Sequence, residues 1–209
     1  MKQILSLTKM SLFLFSGIFL LNSCNSNSDT KTATTDSTMM TTAPAAVTPD
    51  TTAAPAAAAK LTDPEIASVA VTADQIDIDY AKIAKSKSKN ADVLKFAATM
   101  AKDHQSVNDQ AIALAKKLNV TPMDNPTTQS LLSGAATTKA MLNSKTGADF
   151  DKAYIDNEVA YHKAAIALVE GTLIPDASNA ELKSLLQTAL PIFKEHLAHA
   201  EMVQKQFSK

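Results

Sequence analysis

The 209-residue sequence contains no arginine and no tryptophan, and it has only four glycines and one cysteine. Its 20 basic residues are therefore all lysines, and 21 acidic residues give a formal net charge of −1. A nucleic-acid-binding protein is expected to carry a basic face with stacking aromatic groups, so the composition weighs against that class. The scarcity of glycine also argues against a glycine-rich phosphate-binding loop. No Gly-x-Ser-x-Gly motif occurs, and no catalytic residue is predicted.

A short apolar run near the N-terminus predicts an export signal. Lys2 and Lys9 come before an apolar run over Met10–Leu21. This run is shorter than the roughly 20 apolar residues that a helix needs to span a bilayer. Residues 1–23 are therefore interpreted as a signal peptide.

The residues that follow the apolar run, Leu21-Asn22-Ser23-Cys24, resemble the lipobox of bacterial lipoproteins. The resemblance implies that Cys24 is lipidated, becomes the new N-terminus and holds the protein on a membrane of the cell envelope. The outer membrane or a periplasmic face is the expected location. Cys24 is the only cysteine, so the chain cannot form an internal disulfide. The alternatives are an unmodified thiol or a secreted protein without a lipid.

Residues 24–61 have the composition of a tether. Thr, Ala, Ser and Pro dominate this stretch, which contains no aromatic residue. Pro44, Pro49 and Pro55 interrupt the alanine-rich runs that would otherwise start a helix. Such a segment buries too little apolar surface to offset its ordering entropy, so we expect it to be disordered.

Apolar residues recur at helical spacing from residue 62 onward and predict an all-α domain over residues 62–209. Asp63 is predicted to cap the first helix, with Pro64 at its first position, and Asn90 to cap the second. The predicted helices span residues 63–87, 90–119, 127–144, 149–173 and 179–207. Four of them are long enough to form a four-helix bundle. The weaker third segment is predicted to be a short crossover helix, as in the ferritin-like topology.

Polar residues interrupt the apolar stripes near the middle of each long helix. Residues at the middle of packed helices of equal length share one level, so these side chains are expected to converge in the core. Imidazole and carboxylate groups from facing helices suit Fe, Zn or Mn. The candidate metal ligands are His104, His162, His196, Glu158, Asp103 and Asp77.

Two further residues are predicted to orient these ligands: Asn108, one turn after His104, and Tyr161. The alternative is a hydrogen-bonded polar layer without metal. In that case His104 and His162 would pair with nearby carboxylates, and His196 would cap a carbonyl freed by Pro191.

Several motifs follow one another from the second helix onward: Phe96-Ala97-x-x-Met100-x-x-Asp103-His104-x-x-x-Asn108, Phe150-Asp151-x-x-Tyr154-Ile155, then His162, Leu190-Pro191, and His196-Leu197 with Ala200. Together they resemble the motifs of an uncharacterised bacterial family, a domain of unknown function whose members are often labelled outer membrane proteins. The resemblance covers residues 62–207 and implies an exported, ferritin-like helical bundle with no established activity. The Glu-x-x-His pairs of di-iron proteins are missing, which argues against a ferroxidase centre.

Two functions follow from these observations. The first is a lipid-anchored bundle that binds a transition metal in its central polar layer. The second is a non-enzymatic protein of the cell envelope, without metal, in which the bundle is a spacer or a binding module for a protein, glycan or lipid. The membrane is the one partner that the sequence itself predicts, through the lipidated Cys24.

Overall fold

The computed structural model describes residues 59–207, and this part of the chain forms helices and turns without a strand. The prediction of an all-α helical bundle is confirmed. The helices are α1 (Asp63–Lys87), α2 (Ala91–Lys117), α3 (Pro126–Ser144), α4 (Gly147–Leu168), α5 (Ile174–Asp176) and α6 (Ala180–Gln204), which a 3-10 turn follows at Lys205–Phe207. A π-helical segment (Val169–Leu173) joins α4 to the short helix α5.

The predicted signal peptide (residues 1–23), Cys24 and most of the predicted tether lie outside the described residues. Their assignments stay predictions. Within residues 59–207, no helix combines the length and the apolar character that a membrane span requires.

The helix ends follow capping rules, with one correction to the sequence-based prediction. Asn90 accepts hydrogen bonds from the backbone N–H groups of Asp92 and Val93 and caps α2 as predicted. The prediction that Asp63 caps α1 is wrong. Thr62 holds that position, because the Glu65 carboxylate accepts hydrogen bonds from both its backbone N–H and its hydroxyl.

Asp63 has a different role, since its carboxylate accepts hydrogen bonds from the backbone N–H groups of Ser178 and Asn179. These bonds tie the start of α1 to the turn before α6. Asn119, just past the end of α2, has a φ of 52°, the left-handed conformation that commonly follows a helix.

The core consists of two apolar clusters, and the polar layer lies between them. Helix α1 packs mainly against α2, α4 packs against α6, and α2 also contacts α6, while α3 lies against α1. His104 follows Met100 of one cluster and precedes Val107 of the other. His196 likewise lies between Phe193 and Ala200, which belong to opposite clusters. The bundle therefore places these imidazoles at the junction of its two apolar halves.

Candidate metal centre

Three imidazoles from three helices meet at this junction. The ring centroids of His104 on α2 and His162 on α4 lie 5.5 Å apart. His196 on α6 lies 5.1 Å from His104 and 5.5 Å from His162. All three side chains are buried, and one nitrogen from each lies within 4.8 Å of the others.

Asp77 of α1 completes a compact set of donor atoms with two of these rings. The Nε2 atoms of His104 and His162 are 3.4 Å apart. Asp77 Oδ2 lies 3.2 Å from the first and 3.5 Å from the second. A triangle with these edges has a point about 2 Å from each corner, close to the Zn–N and Zn–O bond lengths of about 2.0–2.2 Å.

One ring nitrogen of each imidazole also lies close to an oxygen atom outside the triangle. Nδ1 of His104 lies 2.8 Å from Asp74 Oδ1, and Nδ1 of His162 lies 2.9 Å from the backbone carbonyl oxygen of Glu158. Nε2 of His196 lies 3.2 Å from Asp103 Oδ2. When the nitrogen facing that oxygen carries the proton, the remaining nitrogen of the ring has a lone pair. Metal-binding histidines are held in this way.

Two carboxylates of the cluster are buried without the partners that such groups normally have. Asp77 and Glu158 are both 0% exposed. None of their four oxygens has a hydrogen bond of ordinary geometry from the described residues. Asp77, Glu158 and His162 form a second set of potential ligand atoms within 4.8 Å of one another. An ionised carboxylate in this environment is costly unless a proton or a cation neutralises it.

The pKa values of these groups reflect burial and their mutual charges. Burial, followed by the Asp77 charge, raises the pKa of Glu158 well above its usual range. Burial alone would lower the pKa of His104, but Asp77 and Asp74 outweigh this effect and raise it. Burial lowers the pKa of His162, and it lowers the pKa of His196 to about 4. These shifts favour the protonated forms of His104 and Glu158 and the neutral forms of His162 and His196.

The remaining predicted residues lie at the edge of the cluster. Asp103 contacts His196 but is partly exposed, and its other oxygen lies 3.8 Å from Lys102 Nζ. Oδ1 of Asn108 is buried without a hydrogen-bond partner in the described part of the chain. The hydroxyl of Tyr161 donates to the backbone carbonyl of Ala73, so Tyr161 touches His162 only through its ring, at 6.2 Å between centroids.

Two residues of the site were missing from the sequence-based set. Asp74 is buried and lies one turn before Asp77, a spacing that puts both carboxylates on one face of α1. Tyr154 lies one turn before Glu158, and its buried hydroxyl makes no hydrogen bond of ordinary geometry within residues 59–207. Burial, followed by the Glu158 charge, raises the pKa of this hydroxyl well above its usual range.

Comparison with known proteins gives a family but no function. Residues 48–203 match the family model of a domain of unknown function, DUF4142, and the chain belongs to this family. This agrees with the resemblance to an uncharacterised family that its motifs carry. Neither a curated protein nor a solved structure matches the chain. Function has to be inferred from the cluster itself.

Proposed function

We propose that this DUF4142 protein binds a transition-metal ion between His104, His162 and Asp77. The triangle of donor atoms, with edges of 3.2, 3.4 and 3.5 Å, is the observation that carries the proposal. Three ligands of one tetrahedral ion lie roughly 3.3–3.4 Å from one another when their bonds are about 2.0–2.1 Å long.

The charge of the cluster also favours a cation. Asp77 and Glu158 place two buried carboxylates beside the rings, and no Lys side chain is paired with either among the described residues. A divalent ion would neutralise both charges and contact carboxylate oxygens that have no hydrogen bond of ordinary geometry among the described residues. His196 and Glu158 are the fourth and fifth candidate ligands. Mixed imidazole and carboxylate ligands suit Zn²⁺, Fe²⁺ or Mn²⁺.

The contacts outside the triangle support the same function. Asp74, the Glu158 carbonyl and Asp103 each hold the distal nitrogen of one imidazole. They would fix the ring orientations before a metal arrives and would make the rings better ligands.

A metal titration tests the proposal. The protein is stripped with a chelator, dialysed and titrated with Zn²⁺, Fe²⁺ or Mn²⁺ by calorimetry under conditions that keep Fe²⁺ reduced, and the bound metal is measured by elemental analysis. We expect about one ion per chain for wild type and a loss of this ion in His104→Ala. His199→Ala is the matched control, because His199 contacts Phe96, at 5.1 Å between ring centroids, rather than the cluster. Wild type without bound metal, or His104→Ala with wild-type affinity, would refute the proposal.

A metal-free polar layer is the second candidate. The 2.8 Å contact between His104 and Asp74, together with Asp77 at 3.2 Å, would hold a protonated His104 between two carboxylates. The bundle would then be an interaction module of the cell envelope. This candidate predicts a metal-free protein whose melting temperature a chelator and Zn²⁺ both leave unchanged.

We also propose that Cys24 anchors the protein to a membrane of the cell envelope. The support is the sequence Leu21-Asn22-Ser23-Cys24 after an apolar run. Cys24→Ser is expected to move the protein from the membrane fraction to the soluble fraction and to remove the mass of the lipid in intact-mass spectrometry. Membrane association that persists in this variant would contradict the proposal.

A further inference from the structure

A cavity of about 150 Å³ lies beside the metal centre, in the apolar half of the bundle that contains Phe193. Asp74, His104 and His162 form part of its wall, so the cavity and the cluster share side chains. The rest of the wall is mainly aliphatic and includes Val69, Val107, Leu173, Leu186 and Phe193.

The π-helical segment and several small side chains border this cavity. Val169 and Leu173, at the two ends of the π-helical segment, both line the cavity. Short π-helical segments inside helices are frequent at functional sites. Alanines on four helices leave the space unfilled, among them Ala73, Ala111, Ala165 and Ala189.

The wall selects against charge. It contains no Lys, and its one carboxylate, Asp74, contacts His104. The Tyr161 hydroxyl that borders the cavity donates to the Ala73 carbonyl. An anion would therefore find no unpaired cation on this wall, because His104 is already in contact with the Asp74 and Asp77 carboxylates, and the anion would lie near these buried negative groups.

We propose that this cavity is a binding site for a neutral, mainly apolar molecule of about the size of one aromatic ring. Cavities of about 150 Å³ with walls of Leu, Ile and Phe are known to remain dry and to bind benzene. A molecule bound here lies against His104 and His162, next to the proposed metal. The inference goes beyond metal binding and does not depend on it, because the cavity is formed by the protein alone.

The test uses toluene and benzoate, which share a ring and differ in charge. Purified protein in chelator is titrated with each compound and followed by ¹H–¹³C methyl NMR. Toluene is expected to shift the methyl resonances of Val69, Leu173 and Leu186 in a saturable way, and benzoate to leave them unchanged. Absent toluene shifts, or equal binding of benzoate, would overturn the proposal. Metal-free conditions keep this result separate from the metal titration.

Cavity-filling variants supply a second test. Ala189→Leu and Ala165→Leu each place a larger side chain in the wall, and we expect toluene affinity to fall at least about tenfold. Ala160→Leu is the matched control, because Ala160 is exposed on α4 outside the cavity wall. Wild-type toluene binding in both wall variants would also overturn the proposal. If a variant fails to fold, the comparison of toluene with benzoate in wild type still decides.

Discussion

His104 and His162 face each other across the bundle with their Nε2 atoms 3.4 Å apart. Each ring has an oxygen at its opposite nitrogen, Asp74 for His104 and the Glu158 carbonyl for His162. If both opposite nitrogens carry protons, two lone pairs point at each other in a buried space. A proton or a cation between them removes the repulsion, and Asp77 at 3.2 and 3.5 Å adds negative charge at the same point.

Asp74→Asn tests whether the carboxylate behind His104 supports metal binding. The amide keeps the size of the side chain but loses the charge that makes His104 a better ligand. We expect Zn²⁺ affinity to fall roughly 10–100-fold. Calorimetric titration measures the change. Asp109→Asn, at an exposed position on α2, is the control and should keep wild-type affinity. Equal affinities in the two variants would remove Asp74 from the site.

Glu158→Met separates stability from metal binding. With chelator present, the variant replaces a buried carboxylate, which has no hydrogen bond of ordinary geometry among residues 59–207, by an apolar side chain of similar length. We expect the free energy of unfolding to rise by about 1–3 kcal/mol, measured by urea denaturation. The stabilisation by Zn²⁺ should shrink in the same variant. Glu195→Met, on the exposed side of α6, should change stability by less than about 0.5 kcal/mol. A less stable Glu158→Met protein in chelator would mean that the carboxylate is satisfied in the metal-free state.

The pH dependence of the stability of the metal-free protein should reveal the low pKa of His196. Burial, followed by the neighbouring His104, lowers the pKa of His196 to about 4, whereas an unfolded histidine titrates near about 6.5. Between these two values the unfolded chain binds more protons than the folded one. This histidine therefore contributes stability that is full above about pH 6.5 and is lost as the pH falls toward about 4.

His196→Gln lacks this titration. Wild type should therefore lose stability relative to the variant as the pH falls from about 6.5 to about 4, with other groups largely cancelling in the comparison. Urea denaturation in chelator at a series of pH values measures the difference in unfolding free energy. A difference that stays constant over this window would contradict the assignment of a depressed His196 pKa.

Most of the fold could be predicted from the sequence, because apolar spacing and capping residues are local signals. Asn90 and the end of α2 near Asn119 could be read directly. Thr62 was harder to assign, since Asp63 is an equally good capping type and only the reach of Glu65 decides between them. The π-helical segment was not predictable, because Gly171 and Pro175 are typical of a helix end and the chain continues in helical form to Asp176.

The candidate site was less predictable than the bundle. Mid-helix positions placed His104, His162 and His196 at one level, and the structure brings these rings together. Their role as ligands stays a prediction. Asp103 does not lie inside the cluster with His104, because the side chains of adjacent helical residues point about 100° apart. Its side chain lies at the edge of the cluster and is partly exposed. Asp74 could have been found from its i,i+3 spacing to Asp77.

Anomalous X-ray diffraction from crystals grown with Zn²⁺ tests the central claim most directly. The predicted result is one strong peak at the zinc edge, about 2 Å from Nε2 of His104, Nε2 of His162 and a carboxylate oxygen of Asp77. Crystals that show zinc only at surface sites, with the three side chains in contact and no peak between them, would contradict it.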